Sequence, residues 1–140
     1  MHKIKILSVG KTKEKWLQTA FEEYSQRLKS TAKIECLWAK DDAQLLTLAQ
    51  KESNLLVLDP SAKLMTSEEF SETLSTSLEI GGSRLTFVIG GAEGVPQELK
   101  KKHQLISLSP LTFTHQIARL ILIEQIYRAF EIARGSKYHK

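Results

Sequence analysis

The sequence predicts an α/β fold with a largely parallel sheet and helices on both faces. Strand-like and helix-like runs alternate along its 140 residues, five of each, the order that builds a parallel sheet with covering helices. Residues 54–59, Asn-Leu-Leu-Val-Leu-Asp, form a continuous apolar run, as a strand buried on both faces requires. Glycine-bearing turns stand where strand runs hand over to helical ones, at Gly10 and at 90–94.

Each element has its own signal. Residues 3–9 alternate apolar and polar side chains and stop at Gly10. Residues 14–29 carry Trp16, Leu17, Ala20, Phe21, Tyr24 and Leu28 at helical spacing. Residues 33–39 read as a second strand, and 42–52 as a short helix with Leu45, Leu46, Leu48 and Ala49. After the apolar third strand, Thr66 and Glu69 stand three apart, the pattern of a capping box. Gly81-Gly82 closes that helix. Residues 84–89 are the fourth strand, and Pro96 suits the first turn of a helix reaching Lys102. Residues 105–108 form a short fifth strand, and 114–134 the longest helix, closed by Gly135. No repeat, low-complexity stretch or linker interrupts the series, so one domain spanning 1–140 is expected.

Composition narrows the class. A chain of this length buries about two-thirds of the surface it exposes when unfolded and needs no metal or disulfide to fold. The single cysteine, Cys36, excludes an internal disulfide and sits in an apolar stretch, as a small core residue does. The start of the chain mixes charges into its apolar run and reads as a strand, not a signal peptide. No apolar run is long enough to span a membrane, and the protein is expected in the cytoplasm. His2, His103, His115 and His139 are scattered without metal-ligand spacing, so no metal is expected. The net charge is +4, but 98–140 alone carries eight Lys or Arg against three Glu, a net of +5. That asymmetry points to a polyanionic partner or to a solvated basic surface.

The last helix is apolar around much of its circumference. Ile117, Leu120 and Ile121 form one stripe; Ala118, Leu122, Ile126, Ala129 and Ala133 form another. A sheet face needs only one. The second is expected to face a symmetric partner, the alternative being a helix enclosed within its own domain.

Several motifs carry chemistry, each with a bland alternative. Gly10-Lys11-Thr12 resembles the end of a phosphate-binding loop, but that motif needs a glycine five residues earlier, where Lys5 stands. Gly90-Gly91-Ala92-Glu93-Gly94 lets backbone approach a ligand at the end of a strand, where open α/β sheets bind ligands; it also reads as a plain tight turn. Leu108, Ser109, Pro110, Leu111, Thr112 and Phe113 follow the next strand and suit an adenine, or an ordinary connection. His115 can hydrogen-bond, act as a base or simply cap. Arg119, one turn on, suits a phosphate or a surface carboxylate. Glu124 and Arg128 can pair at i, i+4. The tail 134–140 mixes cations with Tyr138 and His139, which suit phosphates and unpaired bases.

Taken together, three segments and the tail resemble one family. They are Val-Ile-Gly-Gly-Ala-Glu-Gly at 88–94, Leu-Ser-Pro-Leu-Thr-Phe-Thr-His at 108–115 and Ile-Glu-Gln-Ile-Tyr-Arg-Ala-Phe at 123–130, followed by Gly-Ser-Lys-Tyr-His-Lys at 135–140. They look like the RlmH family, formerly YbeA: 23S rRNA pseudouridine N3-methyltransferases of the SPOUT class. The start, Ile-Leu-Ser-Val-Gly-Lys at 6–11, also matches, so the resemblance covers essentially the whole chain. The chain is short for the family around 39–44.

The resemblance implies a trefoil-knotted α/β domain, S-adenosylmethionine as cofactor, a homodimer packed through its last helices, and large-subunit ribosomal RNA as partner. By position it implies cofactor contacts at Leu58, Gly90, Leu108, Ser109, Pro110, Leu111, Thr112 and Phe113. It makes His115, Tyr138 and His139 candidates to orient the target base or relay its proton. Arg119 and the tail cations become phosphate contacts. A terminal segment can fold over a partner subunit's cofactor, which draws attention to His139. The competing expectations are a SPOUT-class enzyme acting on another RNA such as tRNA, and a non-enzymatic α/β binding module. The acidic cluster of a receiver-like module is missing, since Ser8-Val9-Gly10 stands in its place.

Overall fold

A computed structural model describes residues 1–139; the last residue of the tail motif, Lys140, lies outside the described residues. The element order is β1 (His2–Val9), α1 (Lys15–Arg27), β2 (Ala32–Ala39), α2 (Asp42–Gln50), β3 (Leu55–Leu58), α3 (Ser67–Ile80), β4 (Arg84–Ile89), α4 (Gln97–Lys102), β5 (Gln104–Ile106) and α5 (His115–Ala133). All five strands join one sheet in the order β2-β1-β4-β3-β5, and every pairing is parallel.

Strand alternation divides the sheet side chains between two cores. Ile4, Ile6, Leu56, Leu85, Phe87, Ile89 and Ile106 pack with Leu28, Phe70, Leu74, Leu78, Leu122, Ile123 and Ile126, under α1, α3 and α5. Leu7, Leu55, Val57 and Val88 pack with Leu45, Ala49 and Leu99, under α2 and α4. Helices therefore cover both faces. The central strands β3 and β4 are buried along most of their length, which is why they read as unbroken apolar runs.

Local signals place the ends. Thr66 accepts from the Glu69 amide while Glu69 accepts from the Thr66 amide, completing the capping box. Thr114, rather than starting α5, caps it by accepting from the Ile117 amide. β5 is shorter than its apolar run suggests and ends at Ile106. Beyond it, the Ser107 hydroxyl donates to the carbonyls of Pro60 and Ser109, and the chain turns out of the sheet.

α5 leaves the edge strand β5 and returns across the sheet to lie between α1 and α3. Much of its apolar circumference is therefore covered within the chain. Ala118, Leu122, Ile126 and Ala129 are buried, and Leu120, Tyr127 and Phe130 pack against the same core. Ser71 of α3 donates to the Ala129 carbonyl at 2.7 Å, so the two helices approach closely. Ile117 remains 38% exposed. Trp16, grouped by spacing with the buried stripe of α1, is 63% exposed; it precedes Leu17 and falls off the row Leu17, Phe21, Tyr24 and Leu28.

Candidate functional site

The strands β3, β4 and β5 end on the same edge of the sheet, where a parallel arrangement leaves a crevice. A cleft of about 580 Å³ opens there, a size that suits a small-molecule ligand. One wall is apolar, from Leu58, Ile89, Leu108, Phe113 and Ala118. Another is the turn from Gly90 to Val95, and the rim runs from Ser109 through Thr112 to His115. Of the cofactor contacts expected from sequence, Leu58, Gly90, Leu108, Ser109, Leu111, Thr112 and Phe113 all line this cleft; Pro110 is exposed and does not.

The glycine turn is shaped by contact with itself. A methyl group at Gly90 would lie 2.3 Å from the Gly94 carbonyl carbon and 2.5 Å from the Val95 nitrogen. The turn closes through the Gly94 amide donating to the Gly91 carbonyl at 3.0 Å, and Gly94 takes φ +83°. Gly90 is thus required because the turn folds back onto it, a reason beyond approach to a ligand. The facing loop is tied by hydroxyls: Ser109 accepts from the Leu111 amide at 3.0 Å, and Ser107 holds the loop base.

One end of the cleft is charged. Asp59, 7% exposed, accepts from Lys100 at 3.0 Å and from both the amide and hydroxyl of Ser61. Burial alone would raise its proton affinity; the Ser61 bonds and the Lys100 ammonium outweigh that and hold its carboxyl below the usual carboxylate range. This pair carried no sequence signal, because the two residues lie on different elements.

His115 stands at the rim with its ring against Gly10: a methyl group there would meet Nε2 at 3.2 Å. Burial, then the charges of Arg119 and Lys13, lower its proton affinity, so its imidazole is neutral at neutral pH.

Arg119 is not at the surface. It is 1% exposed. Its Nη1 donates to Ser8 Oγ at 2.6 Å and to the Gly10 carbonyl at 2.9 Å; Nε and Nη2 donate to Thr12 Oγ1 at 3.1 and 2.8 Å. The guanidinium also stacks 4.5 Å above Trp38. The expected phosphate contact is therefore corrected: these donors point into the β1–α1 connection and fasten it to α5. Burial pushes its pKa down to about 10, so it remains a cation at neutral pH. Its partners, Ser8 and Thr12, stand in two motifs set aside in the sequence, the phosphate-loop and receiver-like readings, and nothing there pairs them with Arg119.

The tail forms a second cluster away from the cleft lining. Gly135 takes φ +70° and turns the chain back along α5. Tyr138 donates to Glu124 at 2.9 Å, Arg128 donates to the same carboxylate at 2.8 Å, and the Arg128 guanidinium lies 4.9 Å from the Tyr138 ring centre. His139 Nδ1 lies 3.0 Å from Arg128, and its Nε2 3.2 Å from Glu68. Burial and the bond to Glu124 raise the Tyr138 pKa well above the ordinary phenol value, so this hydroxyl is a donor. Within one chain, Tyr138 and His139 are not brought to His115. The hub is Glu124, read from sequence only as a helix-surface pairing partner.

Among the described residues, no group of three or more His, Cys, Asp or Glu is placed to hold a metal ion. Among the same residues, no helix is long and apolar enough to cross a membrane.

The model of a family described as "Predicted SPOUT methyltransferase" matches residues 2–139. The chain is 66% identical to "Ribosomal RNA large subunit methyltransferase H" of Protochlamydia amoebophila over the full length of both chains. Proteins of the same name from Streptococcus mutans and Enterococcus faecalis are 41% and 40% identical over 99% of both chains.

Proposed function

The chain belongs to the SPOUT methyltransferase family, and on that premise we propose that it transfers a methyl group from S-adenosylmethionine to N3 of a pseudouridine in the 23S RNA of the large ribosomal subunit. Its relatives named for large-subunit RNA methylation support the substrate class. The observation that carries the cofactor assignment is the cleft itself, which gathers Leu58, Gly90 and five residues from 108 to 113 around one space of suitable size.

The residues fit the cofactor's chemistry. The apolar wall of Leu58, Leu108 and Phe113 suits an adenine, and the glycine turn offers backbone without side chains. Asp59 and Lys100 supply opposite charges at one end, matching the zwitterionic amino-acid end. S-adenosylmethionine supplies an electrophilic methyl group on a sulfonium centre, and the protein supplies position and electrostatics. N3 of the target base must lose a proton as it accepts the methyl group, and it must be aligned with the donor carbon. In this reading His115, at the rim, accepts that proton. Arg119 is a positioning residue: it holds the β1–α1 connection beneath His115.

The protein acts as a cytoplasmic homodimer in this reading. Support comes from exposed apolar side chains, Leu111 at 69% and Ile117 at 38%, in the loop and helix beside the cleft. Such a dimer can bring the Tyr138–His139 tail of one subunit over the cleft of the other, where Tyr138 donates to the base or its backbone. The return of α5 from the edge strand across the sheet supports the knotted path.

Deleting the gene in its host and mapping the pseudouridines of large-subunit RNA by mass spectrometry tests the proposal. Loss of one N3-methyl mark is expected; an unchanged methylation map refutes the substrate.

A further inference from the structure

The connection from β1 to α1 and the first residue of α1 carry three lysines, Lys11, Lys13 and Lys15, against one carboxylate, Glu14. All three lysines lie on exposed residues, and none has an ion-pair partner among the described residues. Surface connections are ordinarily mobile. This one is fastened from beneath by α5. Arg119 donates to the Gly10 carbonyl and the Thr12 hydroxyl, and Gln116 Oε1 accepts from the amides of Lys13 at 2.9 Å and Glu14 at 3.3 Å. Gly10 rests on the ring of His115, and Lys13 is close enough to that imidazole to disfavour its protonation. A rigid cationic strip thus stands beside the rim of the cleft.

Three like charges held within five residues repel one another, and a polyanion relieves that repulsion. Lysine is depleted at protein–protein interfaces, whereas Lys and Arg neutralise nucleic-acid phosphates and release their counterions. We infer that Lys11, Lys13 and Lys15 contact the RNA backbone flanking the nucleotide presented to the cleft. This deepens the RNA-methyltransferase reading and rests on it. It also adds to the basic surface: by sequence the positive excess belongs to 98–140, whereas Lys100 is the cation of that stretch that lines the cleft and these three lysines come from the start of the chain.

The test compares two charge-matched triple variants. One is Lys11→Gln/Lys13→Gln/Lys15→Gln. The other is Lys29→Gln/Lys33→Gln/Lys51→Gln, whose exposed lysines lie at the opposite edge of the sheet, where β2 and β3 begin. Thermal melting, calorimetry with S-adenosylmethionine, and binding to large ribosomal subunits across a salt series are measured for both. The strip variant is expected to melt and bind cofactor like the parent. Its RNA affinity should fall about tenfold or more, and its log–log salt slope should shallow by about 2, as three lost phosphate contacts require. The opposite-edge variant should keep the parental slope. A strip variant with the parental slope, equal losses in both variants, or a strip variant that loses cofactor affinity each overturns the inference. If the parent binds S-adenosylmethionine but no ribosomal RNA, the underlying reading falls as well.

Discussion

Replacing Arg119 with methionine isolates what a buried guanidinium without a carboxylate contributes. Methionine keeps an unbranched apolar stem of similar length, so the packing of α5 changes little, while the charge and all the donors are removed. Ser8 Oγ, on a residue with no exposed surface, and the Gly10 carbonyl lose their charged donor. Each buried group left unpaired costs about 1–3 kcal/mol. The contact over Trp38 adds about 1 kcal/mol. Against these, the variant escapes the desolvation of a cation, several kcal/mol in a site this buried. The balance is a net loss of about 2–3 kcal/mol, equivalent to a fall in melting temperature of about 7–10 °C for a chain of this size. Urea denaturation monitored by tryptophan fluorescence measures it. Adding Ser8→Ala removes one orphaned group, so the double variant should be less destabilised than the sum of the singles by about 1 kcal/mol. Arg119→Lys should recover only part of the loss, since one ammonium cannot span Ser8, Gly10 and Thr12 as a planar fork does. A loss below about 0.5 kcal/mol for Arg119→Met, or strict additivity with Ser8→Ala, would contradict this role for the guanidinium.

The glycine turn predicts a contrast between neighbours. Gly94→Ala meets open space at φ +83° and should cost about 1 kcal/mol with modest change in cofactor affinity. Gly90→Ala must push the turn open and should weaken S-adenosylmethionine binding more than tenfold by calorimetry; equal effects at both positions contradict the geometry. His115 predicts a pH dependence. Folding lowers its proton affinity below that of an ordinary imidazole, chiefly through burial. As pH falls through the ordinary histidine range, the unfolded chain takes up a proton that the folded chain resists, so stability falls with acidification. Denaturation at pH 7.5 and 5.5 should show a smaller fall for His115→Gln than for the parent, and identical falls contradict the assignment. Cys36, with its thiol pushed up to about 11 by burial, should be alkylated at pH 8 on the order of a hundredfold slower than in the unfolded chain; comparable rates, followed by mass spectrometry, contradict its burial.

Local order was legible because each element carries its own signal. Residues 84–89 form a strand with the bounds their apolar run sets, and Thr66 and Glu69 close the capping box their spacing announces. The edge of the sheet that carries the cleft was legible for a related reason: in a parallel sheet the segments after the strands share one edge, so Gly90 and the 108–113 loop belong to the same edge, while the insertion of β3 between β4 and β5, which sets Leu58 between them, had no signal. Arg119 was not legible. Its partners Ser8 and Thr12 lie more than 100 residues away, and helical spacing puts Arg119 near His115 without saying which way it faces. Glu124 shows the same limit. Its pairing with Arg128 follows from i, i+4 spacing, while its bond to Tyr138 depends on the turn at Gly135. Charge counted along the chain also missed the lysines of the β1–α1 connection, which only folding brings beside the cleft.

In the proposed function, this cleft delivers a methyl group to one ribosomal pseudouridine. Large subunits isolated from a host lacking the gene, incubated with the purified protein and isotopically labelled S-adenosylmethionine, test it most directly when the RNA is digested and read by mass spectrometry. One labelled methyl group at N3 of a single pseudouridine, with none on bulk tRNA under the same conditions, is the predicted result. Label on tRNA, label at another atom, or no label from a protein that binds the cofactor would contradict it.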